Sequence, residues 1–87
     1  MGSGVVLMYT TSWCPYCEQA RDVLRSKGIA FTELDVDAEP QRRAEMIERS
    51  GQYTVPQIFV GSQHIGGAED LQALESSGGL GALLAGR

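Results

Sequence analysis

Both cysteines of this 87-residue chain lie in one tetrapeptide, Cys14-Pro15-Tyr16-Cys17, between an apolar run and a helix-patterned segment. The apolar run from Val5 to Tyr9 has the length of a buried strand, and apolar residues after Pro15 recur with helical spacing. Proline is favoured at the first position of a helix, because its missing N–H would have no partner there. The sequence therefore predicts a strand, a tight turn that carries the cysteines, and a helix that begins at Pro15.

The spacing of the two thiols predicts redox chemistry. Cysteines three positions apart in the first turn of a helix lie on one face and within bonding distance. As the N-cap, Cys14 meets free backbone amides and the positive end of the helix dipole, which favour a thiolate. Cys17 lies one turn further into the helix and is less exposed to this end. We therefore predict that Cys14 is the nucleophile and Cys17 the resolving partner.

Two structural roles for the cysteine pair are disfavoured. A zinc site needs two further ligands, but the chain has no third cysteine and a single histidine, His64. A permanent disulfide across so short a loop would remove little entropy from the unfolded chain. Reversible oxidation is the interpretation that remains, and we expect no bound metal.

The composition indicates one small domain spanning residues 1–87, in which Met1 to Gly4 are interpreted as an added or disordered N-terminus. Two cysteines used in one motif are typical of a reducing compartment. No apolar run approaches 18 residues and no signal segment is recognisable, so we expect a soluble, cytoplasmic protein without a membrane partner. The net charge of -4 argues against nucleic acid as a partner.

The remaining periodicity predicts an α/β order, βαβ followed by ββα. The predicted strands are Val5–Tyr9, Ile29–Val36, Gln57–Val60 and Gln63–Ile65, and the predicted helices are Pro15–Lys27, Pro40–Arg49, Ala68–Ser76 and Leu80–Ala85. This order implies a four-stranded mixed sheet, with the first two strands parallel, the hairpin antiparallel and helices on both faces. The first helix follows the carboxyl end of a central strand, where open α/β sheets place ligand sites.

Three motifs in order, Cys14-Pro15-Tyr16-Cys17, Thr54-Val55-Pro56 and Gly66-Gly67-Ala68-Glu69-Asp70-Leu71, resemble the dithiol glutaredoxins of bacteria. The resemblance covers essentially the whole chain. It implies the thioredoxin fold and the reduction of glutathione mixed disulfides and protein disulfides. It also implies glutathione as the electron source, regenerated by glutathione reductase, and a monomeric protein.

The resemblance assigns the first half of a glutathione site. It implies that Pro56 follows a cis peptide bond beside the nucleophile and that Val55, after Thr54, offers its main chain to the cysteine of glutathione. Tyr16 is expected to form an exposed aromatic wall of the groove. Taken without the cysteine motif, Pro56 could equally be the first residue of an edge strand.

The second half of the implied site is the start of the third helix. The amides of Gly67, Ala68 and Glu69 are expected to hold the γ-glutamyl carboxylate, and Asp70 to take the amino group of glutathione. The alternative is an ordinary helix start, in which acidic residues favour the dipole without any ligand. Relatives often carry Cys or Ser in place of Ala68, and we expect little effect because the backbone makes the contact.

One departure from the family pattern concerns charge. The family usually has a lysine three residues before the nucleophile. This chain has Thr11 there, which we assign to the glutathione site by its position. Arg43 on the second helix is similar in position to a family residue that meets the glycine carboxylate of glutathione, and the resemblance implies the same role here. A guanidinium suits a carboxylate because it can donate two parallel bonds. The alternative is that Arg43, like the adjacent Arg42, belongs to a solvated helix face.

Some assignments stay open. Trp13 can face a partner or be partly packed, and His64 is expected to be structural. A redoxin reduced directly by a flavoprotein thioredoxin reductase is one alternative function. The other is a carrier dimer that holds a [2Fe–2S] cluster through one Cys14 per subunit and two glutathiones, which Pro15 disfavours because it stiffens the loop.

Overall fold

The computed structural model describes residues 5–84, and its elements follow the predicted order. The strands are β1 (Val6–Thr10), β2 (Thr32–Asp35), β3 (Gln57–Val60) and β4 (Gln63–Gly66), and the helices are α1 (Pro15–Ser26), α2 (Pro40–Ser50), α3 (Ala68–Ser76) and α4 (Gly79–Leu84). Across these 80 or so positions, no helix combines the length and apolar character needed to cross a membrane. The expectations for Met1 to Gly4 and for Ala85 lie outside the described residues.

The four strands form one mixed sheet in the order β2-β1-β3-β4. β1 is parallel to β2 and antiparallel to β3, and β3 and β4 form the antiparallel hairpin. Tyr9 illustrates the register, since it lies between Leu34 of β2 and Gln57 of β3. The predicted topology of the sheet is confirmed.

Helices cover both faces of the sheet. Successive side chains of a strand point to opposite faces, so both faces carry apolar groups that the helices bury. Met8 packs on one face with Leu24 of α1, Leu71 of α3 and residues of α4. Tyr9 packs on the other face with Met46 of α2. The predicted two-sided arrangement is also confirmed.

The second strand is shorter than the sequence predicted. Gly28 adopts a left-handed conformation (φ 69°) that ends α1, and the amide of Ile29 donates to the Leu24 carbonyl at 2.9 Å. Ile29 is therefore tied to the end of the helix, and the strand begins only at Thr32. The prediction of a strand from Ile29 was wrong because it ignored this helix-capping bond.

The orientation of α2 also differs from the prediction. The apolar spacing predicts that Ala44, Met46 and Ile47 face inward. Met46 is buried and Ile47 half-buried, but Ala44 is exposed. Glu45 turns toward the sheet instead, and its carboxylate accepts a hydrogen bond from the Tyr9 hydroxyl. Arg49 donates to the same hydroxyl at 3.0 Å. The face that α2 turns to the sheet therefore carries Glu45 as well as Met46.

Candidate active site

The two cysteines lie where the loop after β1 enters α1. Cys14 is the N-cap, with an extended backbone (φ −159°, ψ 110°), and its Sγ accepts a hydrogen bond from the Cys17 amide at 3.3 Å. Pro15 occupies the first helical position and both thiols are free, so the predicted helix start is confirmed. Within residues 5–84, histidine, cysteine and acidic side chains form no group of three that could hold a metal ion.

The two sulfurs differ in accessibility. Cys17 is fully buried (0% exposed), whereas Cys14 is half-buried. Burial, followed by the hydrogen bond with Cys14, raises the pKa of the Cys17 thiol to about 12. Because the thiolate is the nucleophile in thiol-disulfide exchange, Cys17 cannot begin the reaction at neutral pH. A disulfide that approaches from solvent meets Cys14 first.

The segment Thr54-Val55-Pro56 lies beside the Cys14 sulfur. The Cys14 thiol donates a weak hydrogen bond to the Val55 carbonyl at 3.9 Å, although the two residues are 41 positions apart. The Val55–Pro56 peptide bond is cis, as the family resemblance implied. Thr54 is exposed and Val55 half-buried, so the main chain of this segment is accessible to an extended ligand.

The start of α3 supplies the second side of the site. Gly67 is its N-cap, and the Gly67 amide donates to Asp70 Oδ2 at 3.0 Å. Gly66 has a φ of 122°, and a side chain there would overlap the Asp70 carboxylate. The first amides of an α-helix have no partner within the helix, and the dipole is positive at this end. The arrangement combines an anion-binding helix end with one carboxylate held in a fixed position.

These segments enclose a groove of about 410 Å³. It is lined by Tyr16, Thr54, Val55, Pro56, Gly67, Ala68, Glu69 and Asp70. All of these residues belong to the site predicted from the sequence, although they come from three separated parts of the chain. Val55 connects the groove to the reacting sulfur, because its carbonyl accepts the bond from Cys14.

The other two predicted binding residues do not line this groove. The hydroxyl of Thr11 donates to the Trp13 carbonyl at 3.3 Å. Arg43 Nη2 donates to Asp37 Oδ1 at 2.9 Å, and 42% of the Arg43 side chain is exposed. Since exposed ion pairs contribute little to stability, Arg43 can exchange Asp37 for the carboxylate of a ligand at little cost. The assignment of Arg43 to glutathione stays a prediction.

Three exposed aromatic residues, Trp13, Tyr16 and Tyr53, adjoin the cysteine loop and the Thr54 segment, and we call them the aromatic rim. They expose 87%, 59% and 73% of their surface. The exposure of Trp13 excludes the partly packed position, and its contact with a partner stays a prediction. Exposed apolar groups of this size favour contact with other molecules.

Sequence reasoning assigned no role in the site to Gln57, which lies directly behind the groove. It is buried (3% exposed) at the start of the otherwise apolar strand β3. A polar side chain in an apolar strand is the signal that could have identified it, because buried polar groups need hydrogen-bond partners.

Comparison with known proteins agrees with this geometry. The glutaredoxin family model matches residues 6–65. The chain is 54% identical over 79 residues to glutaredoxin 3 of Escherichia coli strain K12, an alignment that covers 91% of this chain and 95% of the relative.

Solved structures give the same result. The solution structure of glutaredoxin from Brucella melitensis is 51% identical, with a TM-score of 0.82, covering 97% of this chain and 91% of that one. The crystal structure of a buckwheat glutaredoxin–glutathione complex is 25% identical, with a TM-score of 0.84, covering 92% of this chain and 76% of that one. The arrangement of sheet and helices is the thioredoxin fold. In sequence and fold alike, the chain therefore belongs to the glutaredoxin family of thiol-disulfide oxidoreductases.

Proposed function

We propose that this protein reduces glutathione mixed disulfides and protein disulfides, with glutathione as the electron source. The observation that carries the proposal is the contact between the Cys14 sulfur and the Val55 carbonyl, which joins the nucleophile to a peptide-sized groove. Family membership supports it, and the similar buckwheat protein was solved as a complex with glutathione.

The groove offers a complementary group for most of the glutathione molecule. The Val55 main chain pairs with the cysteinyl residue of glutathione, as a strand would. The γ-glutamyl carboxylate meets the amides of Ala68 and Glu69 at the start of α3. Asp70 uses one oxygen to hold the Gly67 amide, which leaves the other for the amino group of glutathione.

The first reaction needs only Cys14. Its thiolate attacks the glutathione sulfur of a mixed disulfide, a bond forms between Cys14 and glutathione, and the substrate leaves as a thiolate that takes up a proton. The thiolate of a second glutathione then attacks the glutathione sulfur bound to Cys14. Glutathione disulfide leaves and the Cys14 thiolate is restored, so two electrons pass from glutathione to the substrate.

The second reaction uses both cysteines. Cys14 attacks one sulfur of a protein disulfide, and the other sulfur leaves as a thiolate. Cys17 gives up its proton as it attacks the Cys14 sulfur, which releases the second substrate thiol and forms the Cys14–Cys17 disulfide. Two glutathiones reduce this bond and leave as glutathione disulfide. The bond between the Cys17 amide and Cys14 Sγ supports this step, because it keeps the two residues in one turn.

The cellular setting that we propose follows from this chemistry. Free thiols that must be kept reduced are suited to the cytoplasm. Glutathione reductase would regenerate the glutathione, and the partners would be glutathionylated proteins and enzymes that form disulfides. We propose that the protein acts as a monomer, since one chain supplies both cysteines and the whole groove.

A coupled assay tests the proposed function. With a glutathionylated peptide, glutathione, glutathione reductase and NADPH, the protein should speed NADPH oxidation in proportion to its concentration. With thioredoxin reductase and NADPH alone, it should remain oxidised. The reverse result would identify a redoxin that is reduced directly by a flavoprotein, and visible absorbance in protein isolated without oxygen would instead support the iron–sulfur carrier.

The Arg43→Ala variant tests the carboxylate assignment on α2. If Arg43 leaves Asp37 to bind the glycine carboxylate, the alanine variant should raise the KM for glutathione about three- to tenfold. This is the effect expected from losing one charge-assisted hydrogen bond that solvent partly screens. The kcat should fall less, because the contact is equally strong before and during the reaction. Steady-state kinetics at low ionic strength measure both constants.

Arg42→Ala is the matched control for this test. Arg42 is the neighbouring arginine and is half-buried, and its guanidinium is bound to Glu39 at 3.1 Å and Glu45 at 2.9 Å. Its removal should leave the KM for glutathione unchanged. A raised KM for Arg42→Ala alone would show that the assignment is displaced by one residue, and no change in either variant would mean that the carboxylate is held by backbone or water.

A further inference from the structure

The side chain of Gln57 connects two parts of the fold behind the groove. Its Nε2 donates to the Thr54 carbonyl at 3.0 Å and lies 3.4 Å from the Thr54 hydroxyl. Its Oε1 lies 2.7 Å from Nε2 of His64 on the edge strand β4. We call this chain of contacts from His64 through Gln57 to Thr54 the relay.

The chemistry of the groups fixes the direction of the relay. A carbonyl can only accept, so the amide nitrogen of Gln57 must face Thr54 and its oxygen must face His64. His64 Nε2 must then carry a hydrogen, which it does in one neutral tautomer and in the charged ring. The ring of His64 packs on Phe59 with centroids 4.9 Å apart, which holds it in place.

The position of Thr54 explains why a tether is needed there. Thr54 lines both the groove and a second cavity of about 360 Å³. Gln57 and His64 also line that second cavity, but neither lines the groove. Thr54 is thus an exposed residue that borders two open spaces. The buried amide of Gln57 supplies the contact that fixes it.

We propose that Gln57 and His64 are positioning residues for glutathione recognition, acting through the relay on the main chain of Thr54 and Val55. This inference rests on the proposed function. Neither side chain touches the bound peptide in this scheme. They hold the Val55 carbonyl and amide where the cysteinyl residue of glutathione and the Cys14 sulfur meet. The Gln57 amide is suited to this role because it is buried and both its nitrogen and its oxygen are hydrogen-bonded. Each bond restricts the orientation of the amide and so supports the other.

Two variants remove the relay at different points. Gln57→Leu keeps the volume of the side chain and removes both bonds, while His64→Phe keeps the ring on Phe59 and removes the donor to Gln57. With a glutathionylated peptide as substrate, Gln57→Leu should raise the KM about three- to tenfold, the range for one hydrogen bond. His64→Phe should raise it less, since Gln57 can still reach Thr54. The kcat should change by less than about twofold, because binding rather than chemistry is affected.

Gln63→Leu is the matched control, an identical change at an exposed position of β4. It should leave the KM unchanged. Amide chemical shifts from NMR of the protein without ligand give a second measurement. The Thr54 and Val55 amides should shift in Gln57→Leu and His64→Phe and remain in place in Gln63→Leu.

The outcomes separate the relay from the proposed function. If the wild-type protein turns over the peptide but both relay variants share the KM and the amide shifts of Gln63→Leu, the relay has no role in positioning. A lower thermal midpoint with an unchanged KM would also overturn it, since that is what a merely structural contact would give. If the wild-type protein does not turn over the peptide, the proposed function and the assignment to glutathione both fail, whatever the amide shifts report. Should Gln57→Leu fail to fold, His64→Phe at its exposed position still decides the question.

Discussion

Replacing Cys14 by serine should lower both proposed activities more than about a thousandfold, because a serine hydroxyl cannot form the mixed disulfide. Replacing Cys17 by serine should have a different effect. Reduction of glutathionylated peptides should stay within about threefold of the wild-type rate, whereas reduction of protein disulfides should be lost. The two reactions therefore separate at Cys17.

The burial of Cys17 is the physical reason for this asymmetry. Burial is the largest cause of the raised pKa of the Cys17 thiol, and that burial remains in Cys14→Ser, so Cys17 cannot take over as the nucleophile. In Cys17→Ser the exposed side of Cys14 and the groove are unchanged.

Parallel assays on one glutathionylated peptide and one disulfide-bonded protein measure the separation. The Cys17→Ser variant should also accumulate a mixed disulfide with the protein substrate, which mass spectrometry detects. Loss of peptide deglutathionylation in Cys17→Ser would show that the first reaction needs both sulfurs and would overturn the single-cysteine mechanism.

The second large effect is expected at Gly66. Gly66→Ala should weaken glutathione binding about tenfold or more and lower the free energy of unfolding by about 1–3 kcal/mol through the backbone alone. At a φ of 122° a side chain is strained, and the added methyl group would overlap the Asp70 carboxylate. Displacing that carboxylate breaks its bond with the Gly67 amide and removes the partner proposed for the amino group of glutathione. Denaturant unfolding and the KM for glutathione measure the two effects.

Gly61→Ala is the control for backbone strain. Gly61 also has a positive φ of 61°, at the other end of β4, but a side chain there meets open space. This variant should lose about 1–2 kcal/mol of stability and keep the wild-type KM. In the double variant Gly66→Ala with Asp70→Ala, the overlap with the carboxylate is removed and only the close contact with the Cβ at position 70 remains, so part of the stability should return while the KM stays high. A normal KM in Gly66→Ala would show that the position of Asp70 does not matter for glutathione.

Much of the fold and site could be predicted because the decisive signals are local. The helix start at Cys14 and Pro15 depends on capping within four residues, and the hairpin depends on the turn after Val60. The groove could be assembled in advance only through the family resemblance. No periodicity in the chain shows that Val55 and Cys14 lie side by side.

The features that were missed depend on contacts between distant residues. Helical spacing predicted that Ala44 faces inward, but Ala44 is exposed and the adjacent Glu45 binds the Tyr9 hydroxyl, 36 positions away. In the same way, Gln57 is a polar residue in an apolar strand, and its role becomes clear only from its contact with His64. A polar residue in an apolar strand can be noticed in the sequence, but its partner is set by the three-dimensional arrangement, which single-sequence patterns do not give.

The exposure of Trp13 determines what can be learned from the intrinsic fluorescence of this protein. The chain has a single tryptophan, and its side chain is 87% exposed directly before Cys14. In a protein whose tryptophan is buried, emission shifts to longer wavelength on denaturation, but here the indole is already in water when the chain is folded. The emission is therefore a poor probe of global unfolding. Since it originates next to the reacting sulfur, it is suited to following occupancy and oxidation state at that residue without any added label.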